Sequence, residues 1–326
     1  MELIKEHGKP RLTTYGLVDS DRNIARDQSP DGQAQTVLLL KELIKQTKCT
    51  AKQVVASIPD FSVFTAIVRL PVMPDKDMRQ AVVWEAKKFI PVPLEEVNID
   101  WQVIGEDAIP AAPVAVQPEE VKQVAGGSSR RVLLTAAPKK IVSQYVGILK
   151  EVGLEVASLE TESFALIRSL VGYDPSTVLL VDIGAVVTHM VIVEKDVPVL
   201  TRSIDVGGKT ISQAIANVLG VDGKRAEQFK RLHGIPLGAA EASAGVPKAI
   251  TVALQTIVQE TRYLIETHAR QGEGNIEKVI LTGGSALLPG LPDYLGKYLN
   301  KRVFIGDPFA RILYPLEMQP VLQDMG

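Results

Sequence analysis

Cysteine occurs once in this chain of 326 residues, at Cys49, so no internal disulfide braces the fold and a reducing compartment suits it. Near the end of an amphipathic stretch, that thiol reads as a small buried hydrophobe. The four histidines are scattered and leave no zinc-ligand spacing. No apolar run approaches the length of a membrane-spanning helix, and the first residues lack the apolar centre of a signal peptide. A net charge of −2, without a dense Lys/Arg run, disfavours nucleic acid and anionic lipid as direct partners. No Walker-type loop, Ser-His-Asp set or Cys-His pair is present. What remains is the ordinary balance of a soluble globular protein, 46% hydrophobic and 23% charged, long enough for two cored domains.

Strand and helix alternate in a way that indicates α/β layers. Leu12 to Val18 reads as a strand, Gln33 to Gln46 as a helix with apolar Val37, Leu40 and Ile44, and Gln53 to Ile58 as a strand. Residues 61–153 read as a compact α+β insertion. It has a strand from Val63 to Leu70, a helix capped by Asp75 or Asp77 and running to Phe89, a strand from Asn98 to Ile104, and a strand from Arg131 to Ala136. A helix then runs from Pro138 to near Gly153. Between Glu106 and Ser129 the Ala/Val/Pro/Gly-rich composition fits an excursion between two strands. A strand from Leu154 to Leu159, a helix from Thr161 to Leu170, and three strands and a helix across 177–220 follow. The helix expected from Pro247 to Ala269 carries Ile250, Leu254, Ile257, Val258, Leu264 and Ile265 at core spacing.

Two glycine-bearing segments stand out. In VDIGAVVTHMVIV (181–193) the pattern predicts a hairpin with Asp182 at its tip. An Asp there suits the water shell of a magnesium ion, and Gly184 admits backbone N–H groups to a phosphate. A plain turn uses the same residue types. In VILTGGSALLPGL (279–291) a strand runs into Gly283-Gly284 and a helix expected to begin near Pro289, where a glycine pair lets a flat ligand lie on the backbone. A tight strand-to-helix connection is the alternative. His189, beside Thr188, reads as a solvent-facing or satisfied strand residue.

The order and separation of these segments resemble the second phosphate motif and the adenosine motif of the actin-like ATPase superfamily. LETESFALIRSL (159–170) looks like the connecting helix and DVGGKTISQAIA (205–216) like the Gly-Gly helix start. AEQFKR (226–231) is similar to the adenosine-contacting helix, and RLPVMPDKDMRQAVVWEAKKFIPVPLEEV (69–97) to the subdomain shared by PilM-type pilus assembly proteins and FtsA. The resemblance implies an actin-like (ribonuclease H-like) α/β fold of two domains with an inserted α+β subdomain. Residues 1–60 and 154–178 would form an incomplete first domain, 61–153 the insertion, 179–306 the second domain, and 307–326 a return to the first. A first phosphate loop of DIGSSS type is not found, MELIKEHGKPRLTTYGLV looks like the tail of its hairpin, and both ends read as clipped. Val186 and Val187 stand where polar residues are expected.

As cofactors the resemblance implies ATP and magnesium. Asp182 would act through water on the metal, Gly184 and Thr188 would meet phosphate, and Gly283, Gly284 and Ser285, with Glu227 and Lys230, would form the nucleoside side. Glu160 and Glu162 are the candidates for orienting an attacking water, at most for a weak ATPase. The implied function is a scaffold of type IV pilus assembly, cytoplasmic and peripheral to the inner membrane, without inserting into it. It would bind the N-terminal peptide of a PilN-type partner along Val82, Val83, Trp84, Ala86 and Phe89, with Trp101 as a further anchor, and would self-associate. An FtsA-like division adaptor and a small-molecule kinase are the alternatives, and core packing is the plain reading of the aromatic residues.

Overall fold

A computed structural model describes residues 1–18, 27, 29–108, 128–236, 245–270 and 274–325. The chain opens on a hairpin of β1 (Glu2–Glu6) and β2 (Lys9–Thr14). His7 and Gly8, both at positive φ (48° and 82°), form the two-residue turn whose twist suits such a hairpin. This corrects the strand expected from Leu12 to Val18, which lies earlier and ends at Thr14. α1 (Pro30–Thr47) follows. Ser29 caps it by accepting from the Gly32 amide, Pro30 opens it, and Lys48 in the left-handed region ends it. Cys49 lies just beyond and is only half-buried.

β3 (Gln53–Ile58) runs parallel to β7 (Glu155–Thr161), and these two form a ribbon of their own. Between them come β4 (Phe64–Pro71), α2 (Asp75–Ala86), β5 (Val97–Ala108), β6 (Ser128–Pro138) and α3 (Lys139–Glu151). The strands pair antiparallel in the order β4-β6-β5. One side of α2 (Met78, Val82, Ala86) packs with Val68, Leu70, Val132 and Leu134 in a closed core. Pro74, not Asp75 or Asp77, is the N-cap of α2, and no side chain caps it. The helix stops at Ala86, short of Phe89. Of the expected excursion, 106–108 continue β5 and Ser128–Ser129 open β6, while 109–127 lie outside the described residues.

The largest core belongs to a five-stranded sheet, ordered β10-β9-β8-β11-β12. Its strands are β8 (Val178–Ile183), β9 (Thr188–Glu194), β10 (Val197–Ile204), β11 (Lys278–Thr282) and β12 (Arg302–Ile305). β8, β9 and β10 form an antiparallel meander, and β11 is parallel to β8 and β12. Strands covered on both faces carry continuous apolar runs, and β8 shows the consequence of two-residue alternation. Leu179, Val181 and Ile183 enter one cluster, with Ile211, Ile250 and Leu254. Val178 and Leu180 enter another, with Ile167 and Val171.

The first of those faces is covered by α5 (Gly208–Leu219), α6 (Gly223–His233), α7 (Gly245–Arg270) and α8 (Leu291–Leu299). Asp222 caps α6 by accepting from the Arg225 amide. α8 begins after Gly290 with Pro292 in its first turn, so Pro289 precedes the helix it was expected to open. The other face meets α4 (Glu162–Leu166), which widens into a π-helical turn over Ile167–Val171. Arg311 donates to the Ser169 and Val171 carbonyls at the end of that turn, at 2.5 and 2.7 Å. The chain closes with α9 (Gln319–Met325). Around it, Phe309 and Leu322 pack on Leu12, and the Leu12 amide donates to the Leu313 carbonyl at 2.9 Å.

Candidate functional site

Three backbone turns meet where β8 and β11 end. Asp182 and Thr282 are register partners, so the loop after each strand starts at the same level of the sheet. Gly283 sits at φ +85°, a region that disfavours any Cβ, and a Cβ there would collide with Asp182 Oδ1 and the Ile183 carbonyl. The Ser285 amide donates to the Ile183 carbonyl at 3.1 Å and locks the second loop onto the first. At the start of α5, the Gly208 and Lys209 amides donate to the Gly184 and Ala185 carbonyls at 2.9 and 2.8 Å. A Cβ on Gly207 would come within 2.6 Å of the Gly184 carbonyl. Here the glycines serve close approach of backbone to backbone.

Asp182 is not at a hairpin tip. It lies inside β8 opposite His189 of β9, because the strand continues to Ile183 before the Gly184–Val187 turn. Burial pushes its carboxyl up, His189 opposes that rise and Asp60 adds to it. Glu162 is raised in the same way, by burial first and then by Asp60 and Asp182, against the Asp60 N–H and His189. Asp182 and Glu162 are the carboxyls that would face the water shell of a magnesium ion if one were bound. Among the described residues no group of three or more His, Cys, Asp or Glu side chains is arranged to hold a metal directly. Thr188 is fully buried, and its hydroxyl proton is committed to the Val206 carbonyl at 2.7 Å. Glu160 is drawn away into an ion pair with Arg168.

The expected nucleoside side is a connected polar set. Lys230, buried on α6, places Nζ 2.7 Å from Glu227 Oε2, and Ser212 Oγ donates to the same oxygen at 2.6 Å. Burial alone would raise the Glu227 carboxyl, but Lys230 and Ser212 outweigh it and hold it at about 2. A Cβ on Gly208 would collide with Ser285 Oγ and lie 3.3 Å from Lys230 Nζ, so Gly208, Lys230 and Ser285 share one small space. Gly284 has nothing within 4 Å of where its Cβ would be, which leaves its face open to a flat ligand. An ionised carboxylate, an ammonium, two hydroxyls and a bare glycine face fit the ribose and base of a nucleotide. Ser212 was not among the expected residues; one turn C-terminal to the Gly207-Gly208 start, on the inner face of α5, it could have been found from helical spacing.

The expected partner surface divides. Val82 and Ala86 are fully buried in the insertion's core, which corrects their assignment to an open groove: they lie on the side of α2 turned to the sheet. Trp84 is 63% exposed and carries Lys88 over its ring, whereas Trp101 packs against the core. Phe89, 49% exposed, lines a cavity of about 300 Å³ with Phe64, Ala66, Ile90, Leu134 and Thr201. That cavity lies between β4, an edge of the three-stranded sheet, and β10, an edge of the five-stranded one.

A model of the family described as type IV pilus assembly protein PilM matches residues 1–324. The ethanolamine utilization protein EutJ of Escherichia coli (strain K12) is 28% identical over 152 residues, 47% of this chain and 48% of that protein, so the chain spans about half the length of this curated relative. Among solved structures, a PilM-PilN type IV pilus biogenesis complex superposes with a TM-score of 0.78 at 24% identity, covering 99% of this chain and 90% of that one. A MamK double helical filament gives 0.53 at 13% identity, over 87% and 74%. The fold is actin-like. With the family model spanning almost every residue, this chain belongs to the family of type IV pilus assembly protein PilM.

Proposed function

We propose that this pilus assembly protein is a binding scaffold that takes the N-terminal peptide of a PilN-type inner-membrane protein. The carrying observation is the cavity between β4 and β10, each an edge strand of its own sheet, with Phe89 and Phe64 in its walls. Edge strands offer backbone hydrogen bonds to an extended peptide, and an aromatic-walled cavity offers a pocket for its apolar side chains. The resemblance to a PilM-PilN complex supports the choice of partner. Among the described residues no helix is long and apolar enough to cross a membrane, so the peptide would hold the scaffold at the inner membrane.

Nucleotide is the proposed regulator. Glu227, Lys230, Ser212 and Ser285 would hold the nucleoside, while Asp182 would orient the water shell of a magnesium ion whose positive charge offsets that of the phosphates. All of these residues belong to the five-stranded sheet and the elements packed on it, so occupancy would act on the angle between this part and the rest. The test is a calorimetric titration with a synthetic PilN-type N-terminal peptide, with and without Mg–ATP. Saturable binding that changes with nucleotide is expected; a peptide producing no heat in either condition would remove the reading.

A further inference from the structure

One buried polar cluster borders the expected magnesium side, with His189 opposite Asp182 and the Asp60 amide donating to Glu162, but its own hydrogen bonds run between elements. Asp60 lies in the short turn after β3, Ser163 in the first turn of α4, His189 in β9 and Ser203 opposite it in β10. Oδ2 of Asp60 accepts from the Ser163 amide at 2.8 Å and the Ser163 hydroxyl at 3.0 Å, and lies 3.0 Å from His189 Nε2. The other ring nitrogen, Nδ1, lies 2.8 Å from Ser203 Oγ. The Asp60 and His189 side chains are 7% and 6% exposed. Asp60 and Ser163 approach the same nitrogen, so the set is not an Asp-His-Ser relay, in which acid and nucleophile occupy opposite nitrogens. Its order is structural: each polar atom is satisfied only when the β3–β7 ribbon, α4 and the five-stranded sheet stand in one relative position.

We propose that Asp60, Ser163, His189 and Ser203 form an interlock that fixes the angle between the β3–β7 ribbon and the five-stranded sheet. Packed polar networks have discrete arrangements, and a partly broken one strands polar groups away from water. The molecule therefore holds one angle until the set is broken as a unit. The placement also ties the angle to the groove. Val63 and Phe64, just beyond Asp60, and Thr201, two residues before Ser203, line the cavity that Phe89 enters, so separating Asp60 from Ser203 widens it. The proposal concerns the angle alone and stands whether or not a peptide occupies the groove.

The test is a pulsed electron-spin distance measurement on the full chain, with labels introduced by Lys45→Cys on α1 and Lys224→Cys on α6, both exposed, in a Cys49→Ser background. The parent should give one narrow distribution. Asp60→Ala and His189→Ala should each broaden and shift it, and the double variant should do no more than either alone, since the set fails as a unit. Lys88→Ala, which removes an ion pair to Glu85 and a contact with the Trp84 ring, both within the insertion, should leave it unchanged. Where Asp60→Ala does not fold, Asp60→Asn and Ser203→Ala take its place, the first keeping the volume and the second deleting only the outer hydroxyl. A parent-like distribution in any folded Asp60 or His189 variant would overturn the interlock.

Discussion

Gly283→Ala isolates the convergence on which the site depends. At φ +85° an L-residue pays a left-handed backbone penalty of about 1–2 kcal/mol. The new methyl would also stand where Asp182 Oδ1 and the Ile183 carbonyl now are. Relief requires the carboxylate to move or the two strand ends to part, and overpacking of this kind costs about 1–3 kcal/mol. The sum is a loss of about 2–5 kcal/mol. Urea unfolding followed by far-UV circular dichroism reads it, because both tryptophans, Trp84 and Trp101, lie in the inserted unit and report poorly on the five-stranded sheet. Gly223→Ala is the control: it opens α6 with nothing within 4 Å of the added methyl, and should be neutral or stabilising by up to about 1 kcal/mol. Should Gly283→Ala unfold at the same urea concentration as Gly223→Ala, the crowding inferred between the two loops is absent and the candidate site loses its floor.

Acid titration separates the two kinds of carboxyl. Glu162 and Asp182 lie above their ordinary values of 4.5 and 3.8, so the folded chain keeps protons that the unfolded chain releases, and stability falls as pH rises through that interval. Glu162→Gln and Asp182→Asn should therefore stabilise the chain at neutral pH, an advantage that disappears in acid, while Asp182→Asn weakens any binding of Mg–ATP in calorimetry. Glu227 has the opposite sign: its contribution is present above 4.5 and is lost as pH falls towards about 2, so Glu227→Gln should flatten that part of the stability profile. In the core, Leu180→Ala should cost about 2–5 kcal/mol in denaturant melts. Val55→Ala, 57% exposed, should stay within about 0.5 kcal/mol. In the peptide titration Phe89→Ala should weaken affinity about tenfold; Val82→Ala should lower stability instead, and a reversal of the two would move the groove.

The order of elements and the two glycine segments could be read from sequence alone because each is a local signal. Continuous apolar runs mark strands covered on both faces, as at 178–181 and 279–281, and the stripe from Ile250 to Ile265 marks a helix on a core. Misreadings fell where local rules compete. Asp75 and Asp77 are good capping residues, yet the chain enters α2 through Pro74; Pro289 suits a helix start, yet the positive φ of Gly290 delays the helix to Leu291. Val82 and Ala86 share one side of α2, and the side that faces a sheet has the same spacing as a side that faces a groove, so the spacing does not separate the two.

By itself, then, the sequence determined most of the strands and helices, and that the segments bearing Asp182 and Gly283 each pair a buried strand with a glycine turn, because backbone preference and apolar period act over a few residues. Only the tertiary structure decided that these two meet across one parallel strand pair, that Lys230 reaches the Gly208 carbonyl, and that Asp60 finds His189. Those contacts join residues far apart along the chain, and nothing in the neighbourhood of either partner records the other; they exist because burying the two faces of the five-stranded sheet leaves its polar side chains no partners but one another.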